Sequence, residues 1–258
     1  MKKIGIIAAM QEEYDVIKEL MENTKIEEYF NLELTCGEIK QKQVVLVKCG
    51  IGKVNAARVT QILIDKYNME YIVNVGVAGS LNDELEIGDI VIGKKLVQHD
   101  FDLTPWGHEK GYISNEVGRY LESSEELIEK CKKIISEDLK DINVKIGTIA
   151  TGDVFCTSEE LKNEVLKEFG ADCIEMEGAS IAQVCKLCNI PFVVIRSISD
   201  KPNGSNEIDF DKFLELSVKR YQKLIQFLVW VFGDTSKKQQ QIRDNYLMYN
   251  ENRRRNYV

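Results

Sequence analysis

Short apolar segments alternate with amphipathic segments along most of this chain, and this alternation limits the fold more than any other feature of the sequence. Apolar runs of this length are typical of buried strands, and strands that alternate with helices indicate an α/β architecture. We predict strands over residues 4–9, 44–49, 71–77, 89–97, 144–150, 173–176 and 191–198. The predicted helices cover residues 11–21, 54–67, 124–135, 178–188 and 210–232, and a further helix begins at Ser158.

The organisation of the chain indicates one domain followed by a tail. No internal repeat and no linker interrupts residues 1–233, so we predict a single domain there. Residues 234–258 are polar, rich in Gln, Asn and Arg, and lack a sustained apolar face. We expect this tail to be mobile or weakly helical and to lie outside the core.

The charge distribution excludes one class of partner. The formal net charge is −8, and residues 234–258 contribute six basic and three acidic side chains, so residues 1–233 carry −11. Such an acidic body repels the phosphates of nucleic acids. A small neutral substrate is therefore the better expectation, and no nucleic-acid partner is predicted.

Cysteine usage and hydropathy indicate the compartment. The seven Cys residues lack the spacing of a disulfide framework, which favours reduced thiols. The N-terminal apolar run stops at Met10 and is followed at once by charged residues, unlike a signal peptide. No apolar run reaches the ~20 residues of a membrane span. We expect a cytoplasmic protein, and the single Cys185–Cys188 pair with only two His gives no support for a metal site.

Acidic residues follow three of the predicted strands, where α/β sheets bind ligands. Glu13 stands where an acid is typical of the first turn of a helix, or of a carboxylate that orients water. Glu175 and Glu177 would point to the same side of an extended segment, either as ribose ligands or in a buried ion pair. Asp200 ends the most apolar strand, where it would either bind a heterocycle's ring nitrogen or cap a turn.

Gly-rich turns and two aromatic residues complete the set of candidates. The turns at residues 50–52 and 76–79 allow a ligand to approach the backbone, although Gly serves ordinary turns more often. Phe155 and Trp106 lie in predicted loops and offer faces on which a purine would stack.

These motifs, taken together and in order, resemble the 5′-methylthioadenosine/S-adenosylhomocysteine nucleosidases of the purine nucleoside phosphorylase superfamily. The resemblance covers about residues 1–231 and is carried by residues 4–13, 50–55, 76–80, 88–89, 98–100, 151–153, 175–179 and 196–200. It implies a three-layer α/β/α sandwich with a mixed, largely parallel central sheet, a homodimer and no cofactor. It also implies irreversible hydrolysis of the bond between adenine N9 and ribose.

The resemblance assigns roles residue by residue. Glu13 matches the acid that activates water, and Asp200, supported by Ser199, matches the acid that protonates adenine at N7. Met176 and Glu177 match ribose contacts, and Phe155 matches the residue stacked on the base. The other substrate-binding residues implied are Ile51, Val77, Ala78, Gly79, Cys156 (through its main chain), Glu175, Arg196, Phe210 and, from a second copy of the chain, Trp106 of the partner subunit.

Two questions stay open at the level of sequence. Many relatives carry Ser or Thr at the position of Val77, so the preference among methylthioadenosine, S-adenosylhomocysteine, 5′-deoxyadenosine and aminofutalosine is undetermined. A phosphate-dependent nucleoside phosphorylase on the same fold would need a cationic pocket, for which Arg196 is one candidate. A non-catalytic nucleoside-binding protein would not need both Glu13 and Asp200.

Overall fold

The computed structural model describes residues 3–138 and 142–201, together with residues 214, 225 and 229. Phe210, the tail 234–258 and most of the predicted helix over residues 210–232 lie outside the described residues. The described strands are β1 (Lys3–Ala8), β2 (Glu22–Tyr29), β3 (Leu32–Ile39), β4 (Lys42–Lys48), β5 (Tyr71–Ser80), β6 (Ile90–Gln98), β7 (Leu121–Glu122), β8 (Val144–Thr151), β9 (Cys173–Glu175) and β10 (Phe192–Asp200). The described helices are α1 (Gln11–Lys18), α2 (Lys53–Tyr67), α3 (Glu125–Asp138), α4 (Glu159–Phe169) and α5 (Gly178–Leu187).

The structure confirms the predicted strands over residues 4–198. It also confirms the five predicted helices that precede residue 189. The start of α4 was predicted at Ser158, and the Ser158 hydroxyl indeed accepts the Leu161 N–H at 3.3 Å as a helix cap. Strands β2, β3 and β7 have no counterpart in the prediction. Strand β2 is exposed along most of its length and carries charged residues, so it lacks the apolar alternation by which a strand is recognised.

Part of the sheet closes into a ring. Strand β5 pairs with β10, β10 with β6, β6 with β8, β8 with β9, and β9 returns to β5. Strands β1, β4, β3 and β2 extend the sheet outward from β5. Among the described strands, five pairings are parallel and five are antiparallel. The sheet is therefore mixed, as expected, with a smaller parallel share than the sequence indicated.

Helices cover both faces of this sheet, which gives the three-layer α/β/α architecture. On β1, Ile4 and Ile6 pack with α1 and α3 on one face, whereas Ile7 packs with α2 and α5 on the other. The two faces are both apolar because successive side chains of a strand point to opposite sides. No helix among the described residues is long and apolar enough to cross a membrane.

One edge of β5 has a gap that positions the site. Residues 71–74 of β5 pair with β1 on this edge, and residues 79–80 pair with β9 on the same edge. Residues 75–78 have no partner among the described strands on this side, although β10 pairs along the whole opposite edge. The backbone of β5 is thus open between the ends of β1 and β9.

Candidate active site

A cleft of about 490 Å³, including its open mouth, lies at this gap. It brings together eleven of the residues that the sequence singled out. They are Glu13, Ile51, Val77, Ala78, Gly79, Phe155, Glu175, Met176, Glu177, Ser199 and Asp200. Three further residues, Ala9, Met10 and Ile174, also line the cleft and were missed as site residues, because they carry no functional group that sequence reasoning would single out.

Glu13 lies in the first turn of α1, and its buried carboxylate points back to the end of β1. Oε2 accepts the N–H groups of Ala9 (2.8 Å) and Met10 (3.0 Å), and Oε1 accepts the N–H of Val77 (3.0 Å). Burial raises the pKa of Glu13, although the Arg196 guanidinium and the three N–H donors act in the opposite direction. The result is a fixed carboxylate with an increased affinity for a proton.

Asp200 is the last residue of β10 and is also buried. The Ser199 hydroxyl donates to its Oδ1 at 2.8 Å and thereby orients the carboxyl group. Consecutive strand residues normally point to opposite faces, yet both side chains line the cleft. A shift in the pairing register between Ile198 and Asp200 accounts for this, because such irregularities redirect side chains.

Glu175 lies at the bottom of the cleft, and both oxygens of its carboxylate are bonded to protein groups. Its carboxylate pairs with Arg196 and accepts the hydroxyl of Thr151. It also accepts the N–H groups of Glu177 (3.1 Å) and Gly178 (2.8 Å). Glu175 thus joins β9, β8 and β10 to the start of α5, which agrees with the ion-pair interpretation of its sequence position.

Arg196 is buried, and its guanidinium bonds to other protein groups. Its guanidinium bonds to Glu175, to Asn74 Oδ1 (2.6 Å) and to the carbonyl oxygen of Ile195 (3.1 Å). It does not line the cleft. The cation that the sequence offered for a phosphate pocket is therefore occupied by the protein's own acceptors.

Glu177 lies two residues after the end of β9 and is the N-cap residue of α5. Its Oε1 accepts the N–H of Gly52 at 2.9 Å, and its Oε2 lies 3.8 Å from Arg196 Nη2. Glu175 and Glu177 therefore both reach Arg196, as expected if they point to one side. Burial and the negative charge of Glu175 raise the pKa of Glu177 to about 8.

The mouth of the cleft is apolar and open. Ile51 and Phe155 line it with 54% and 43% of their surface exposed, and the half-buried Met176 also lines the cleft. Val77 presents an apolar side chain beside Glu13. Such a lining suits an apolar substituent on a ligand whose polar part reaches the acids below.

Two further sequence candidates do not line the cleft, and a third cannot be placed. Cys156 is buried directly after Phe155 and does not line the cleft. Trp106 lies in a short 3-10 turn over Thr104–Trp106 and is 78% exposed, away from the cleft of its own chain. Phe210 is outside the described residues.

The ionisable side chains that line the cleft, within the described residues, are acidic. Four of its lining residues are acidic, and no Lys or Arg lines it within the part of the chain that the structure describes. In that same part, no group of three or more His, Cys, Asp or Glu side chains is arranged to hold a metal ion. A neutral or cationic ligand fits this field better than an anion.

Comparison with known proteins gives the same family by sequence and by structure. The family model of the Phosphorylase superfamily matches residues 3–229. The 5′-methylthioadenosine/S-adenosylhomocysteine nucleosidase of Bacillus subtilis is 38% identical over 224 residues, which are 86% of this chain and 96% of the relative. The nucleosidase of Staphylococcus aureus is 37% identical over 88% of this chain and 98% of its own length.

Solved structures from Helicobacter pylori are equally similar. A 5′-methylthioadenosine/S-adenosylhomocysteine nucleosidase superposes with a TM-score of 0.85 at 37% identity, covering 88% of this chain and 97% of that chain. A futalosine hydrolase superposes with a TM-score of 0.85 at 36% identity and the same coverage. The chain belongs to the 5′-methylthioadenosine/S-adenosylhomocysteine nucleosidase family of the phosphorylase superfamily.

Proposed function

We propose that this protein hydrolyses the bond between adenine N9 and ribose in 5′-thioether nucleosides, namely methylthioadenosine and S-adenosylhomocysteine. The observation that carries the proposal is one cleft in which two buried acids, Glu13 on α1 and Asp200 on β10, are each fixed by hydrogen bonds. Cleavage of an N-glycosidic bond needs an acid at the leaving base and a carboxylate at the attacking water.

In the proposed reaction, Asp200 donates a proton to adenine N7 while the C1′–N9 bond breaks. Adenine then leaves as a neutral molecule. Glu13 Oε1 accepts one protein N–H and retains a lone pair with which to take a proton from water. The water oxygen forms the new bond to C1′, so one water is consumed for each adenine and thioribose released.

Glu177 supports this reaction at the ribose. Its carboxylate lines the cleft and is anchored by Gly52 on one oxygen. Above its pKa of about 8 this carboxylate is ionised, and it then accepts hydrogen bonds from the sugar hydroxyl groups and stabilises the positive charge that develops on the ring. The apolar mouth at Ile51 and Phe155 receives the thioalkyl group and the base.

Phosphorolysis is disfavoured by the same site. A phosphate would have to enter a cleft with four acidic lining residues, while the guanidinium of Arg196 is paired with Glu175 and Asn74. Water is neutral and meets no such electrostatic cost. These contacts support hydrolysis over the phosphate-dependent reaction.

A second candidate substrate class follows from the comparison with futalosine hydrolase, which is as similar in structure as the nucleosidase. The cleft has the apolar side chain of Val77 beside Glu13. The candidate substrates are therefore methylthioadenosine, S-adenosylhomocysteine, 5′-deoxyadenosine and aminofutalosine.

The assembly and the cellular setting belong to the same proposal. A homodimer would cover the exposed apolar side chains near the cleft, and Trp106 of the partner subunit would then complete the 5′ pocket. All seven Cys are free thiols, which supports a reducing, cytoplasmic compartment. A role in methionine salvage would follow from the proposed substrates. Residues 1–233 would form the catalytic domain, with residues 234–258 as an appended tail.

The test is adenine release from methylthioadenosine by the purified protein, with and without phosphate, together with identification of the sugar. We expect phosphate-independent release of adenine and free methylthioribose. Methylthioribose 1-phosphate as the product would replace hydrolysis by phosphorolysis. Absence of release from all four candidate nucleosides would contradict the proposal.

A further inference from the structure

A polar network lies beside the cleft and has no part in the proposed chemical steps. Lys53 is the first residue of α2, and its Nζ lies 2.7 Å from Asp100 Oδ1, 3.3 Å from Gln98 Oε1 and 3.9 Å from Asp153 Oδ2. Although it is a lysine, only 17% of its side chain is exposed. We refer to Lys53, Gln98, Asp100 and Asp153 as the Lys53 network.

The network replaces a cap that α2 lacks. The N-cap residue of α2 is Gly52, which has no side chain with which to accept the first N–H groups. Asp153, from the segment after β8, accepts the Lys53 N–H with Oδ1 at 2.8 Å. The Asp153 N–H in turn donates to Asp100 Oδ2 at 2.9 Å. Three segments that are distant in sequence are thereby fixed to one another.

This arrangement adjoins three residues that line the cleft. Gly52, which precedes Lys53, donates its N–H to Glu177 Oε1. Ile51 lines the cleft one residue earlier, and Phe155 lines it two residues after Asp153. The placement of one carboxylate and two apolar side chains therefore depends on the same contacts.

We propose that Lys53 is a positioning residue for the nucleosidase reaction. Its ion pairs with Asp100 and Asp153 hold the Gly52 N–H against Glu177 and keep Ile51 and Phe155 at the separation that a bound nucleoside requires. This inference rests on the proposed function, and its test is designed to separate the two.

The electrostatics of the network agree with this role. Burial would raise the pKa of Asp100, but the Lys53 ammonium and the Asp153 N–H together hold it below its ordinary value. Without the ammonium, the carboxylates of Asp100 and Asp153 would face each other with the same charge. The repulsion would separate the segments that carry Gly52 and Phe155.

The groups that face Glu177 determine how this loss would be detected. Glu175 on β9, Arg196 on β10, Glu13 on α1 and Cys49 before α2 all interact electrostatically with it. The Gly52 N–H is the contact that lowers its pKa from the side of α2. If Gly52 moves away, Glu177 takes up a proton at higher pH than before, because the other groups are unchanged.

The variant Lys53→Met tests the proposal, because it keeps most of the side chain and removes the charge. The matched control is Lys162→Met, since the Lys162 side chain is 16% exposed and 2.8 Å from Asp83. We expect Lys53→Met to lower kcat/KM for methylthioadenosine about 30-fold and to shift the acid limb of the pH–rate profile upward. Lys162→Met should stay within about twofold of the parent protein, and Lys53→Arg should recover most of the activity.

A second measurement does not depend on activity. Hydrogen exchange of the peptide over residues 50–55 should be about tenfold faster in Lys53→Met and unchanged in Lys162→Met. Equal kinetics and equal exchange in the two Lys→Met variants would overturn the positioning role. If Lys53→Met does not fold, Asp100→Asn provides the same comparison with the side-chain shape retained. If the parent protein releases no adenine, the proposed function fails, whereas the exchange comparison still decides whether Lys53 holds the Gly52 segment.

Discussion

The floor and the rim of the cleft are built in opposite ways. The floor consists of Glu13, Glu175, Glu177 and Asp200, all at most 6% exposed and each hydrogen-bonded within the protein. The rim consists of Ile51 and Phe155, which are 54% and 43% exposed. The acids of the proposed reaction are therefore fixed by contacts within the chain, whereas the side chains that we propose to bind the base and the thioalkyl group are exposed. Substitutions in the floor should affect turnover and stability, and those in the rim should affect substrate preference.

The largest effect is expected for Asp200→Asn. The amide retains an oxygen that accepts the Ser199 hydroxyl but has no acidic proton for adenine N7. We expect kcat for methylthioadenosine to fall by about 10³-fold with the fold retained, as for loss of a general acid. Single-turnover kinetics and far-UV circular dichroism provide the measurement. Turnover within about tenfold of the parent protein would remove Asp200 from the role of acid.

Glu175→Gln should cause the largest loss of stability. The substitution leaves the buried guanidinium of Arg196 without its main counter-charge, and we expect the free energy of unfolding to fall by about 3 kcal/mol. Urea denaturation measures this change. The control is Glu164→Gln, because Glu164 pairs with Lys110 at the surface and 55% of its side chain is exposed. This substitution should lower the free energy of unfolding by less than about 1 kcal/mol. Equal losses in the two variants would mean that burial of the ion pair has no energetic consequence.

The pH dependence of stability should report on Glu177. Its pKa is raised to about 8 in the folded protein, so between pH 5 and 8 the folded state holds a proton that the unfolded state has released. Stability therefore falls as pH rises through this window, by at most about 1.4 kcal/mol per pH unit for one group. Urea denaturation at several pH values measures the slope. Glu177→Gln should flatten it, and an unchanged slope in that variant would assign the titration to another group.

The smallest effect is expected at the rim. Ile51→Ala removes part of an exposed wall and should raise KM for methylthioadenosine by about three- to tenfold, with little change in kcat. The same variant should treat 5′-deoxyadenosine nearly as the parent does, because that substrate lacks the thioalkyl group. Steady-state kinetics on both substrates measure the difference. A loss in kcat instead of KM would show that Ile51 acts on the floor.

Sequence reasoning predicted where the acids would meet, because strand ends in an α/β sheet converge. It could not choose between the two interpretations of Glu13. The structure shows that a place in the first turn is compatible with a carboxylate that faces the cleft, and the water-orienting role stays a prediction. Glu13 lies in the first turn of α1 and caps the residues before it, and the same contacts fix the carboxylate that faces the cleft. Its neighbour Glu12 is exposed, whereas Glu13 is buried. Which of the two acids faces the cleft depends on the orientation of α1, which the sequence does not give.

The sequence could not predict that Glu175 and Glu177 have different hydrogen-bond partners. Their spacing predicted a common side, and both do approach Arg196. What separates them are partners far along the chain, Thr151 for Glu175 and Gly52 for Glu177. The edge strand β2 was missed for a different reason. An edge strand that packs little against the core needs few apolar residues, so it carries little of the pattern that reveals strands.

The gap in the edge of β5 implies an order in which the contacts of the cleft form during folding. Glu13 can bind the Val77 N–H only when β1 and β5 are paired, and Glu175 and Glu177 reach their places only when β9 has joined β5. These contacts link residues 13, 77 and 175, which lie far apart along the chain, and such non-local contacts form late in folding. A refolding chain should therefore regain its helical circular dichroism before its activity, and the delay would time the final closure of the sheet.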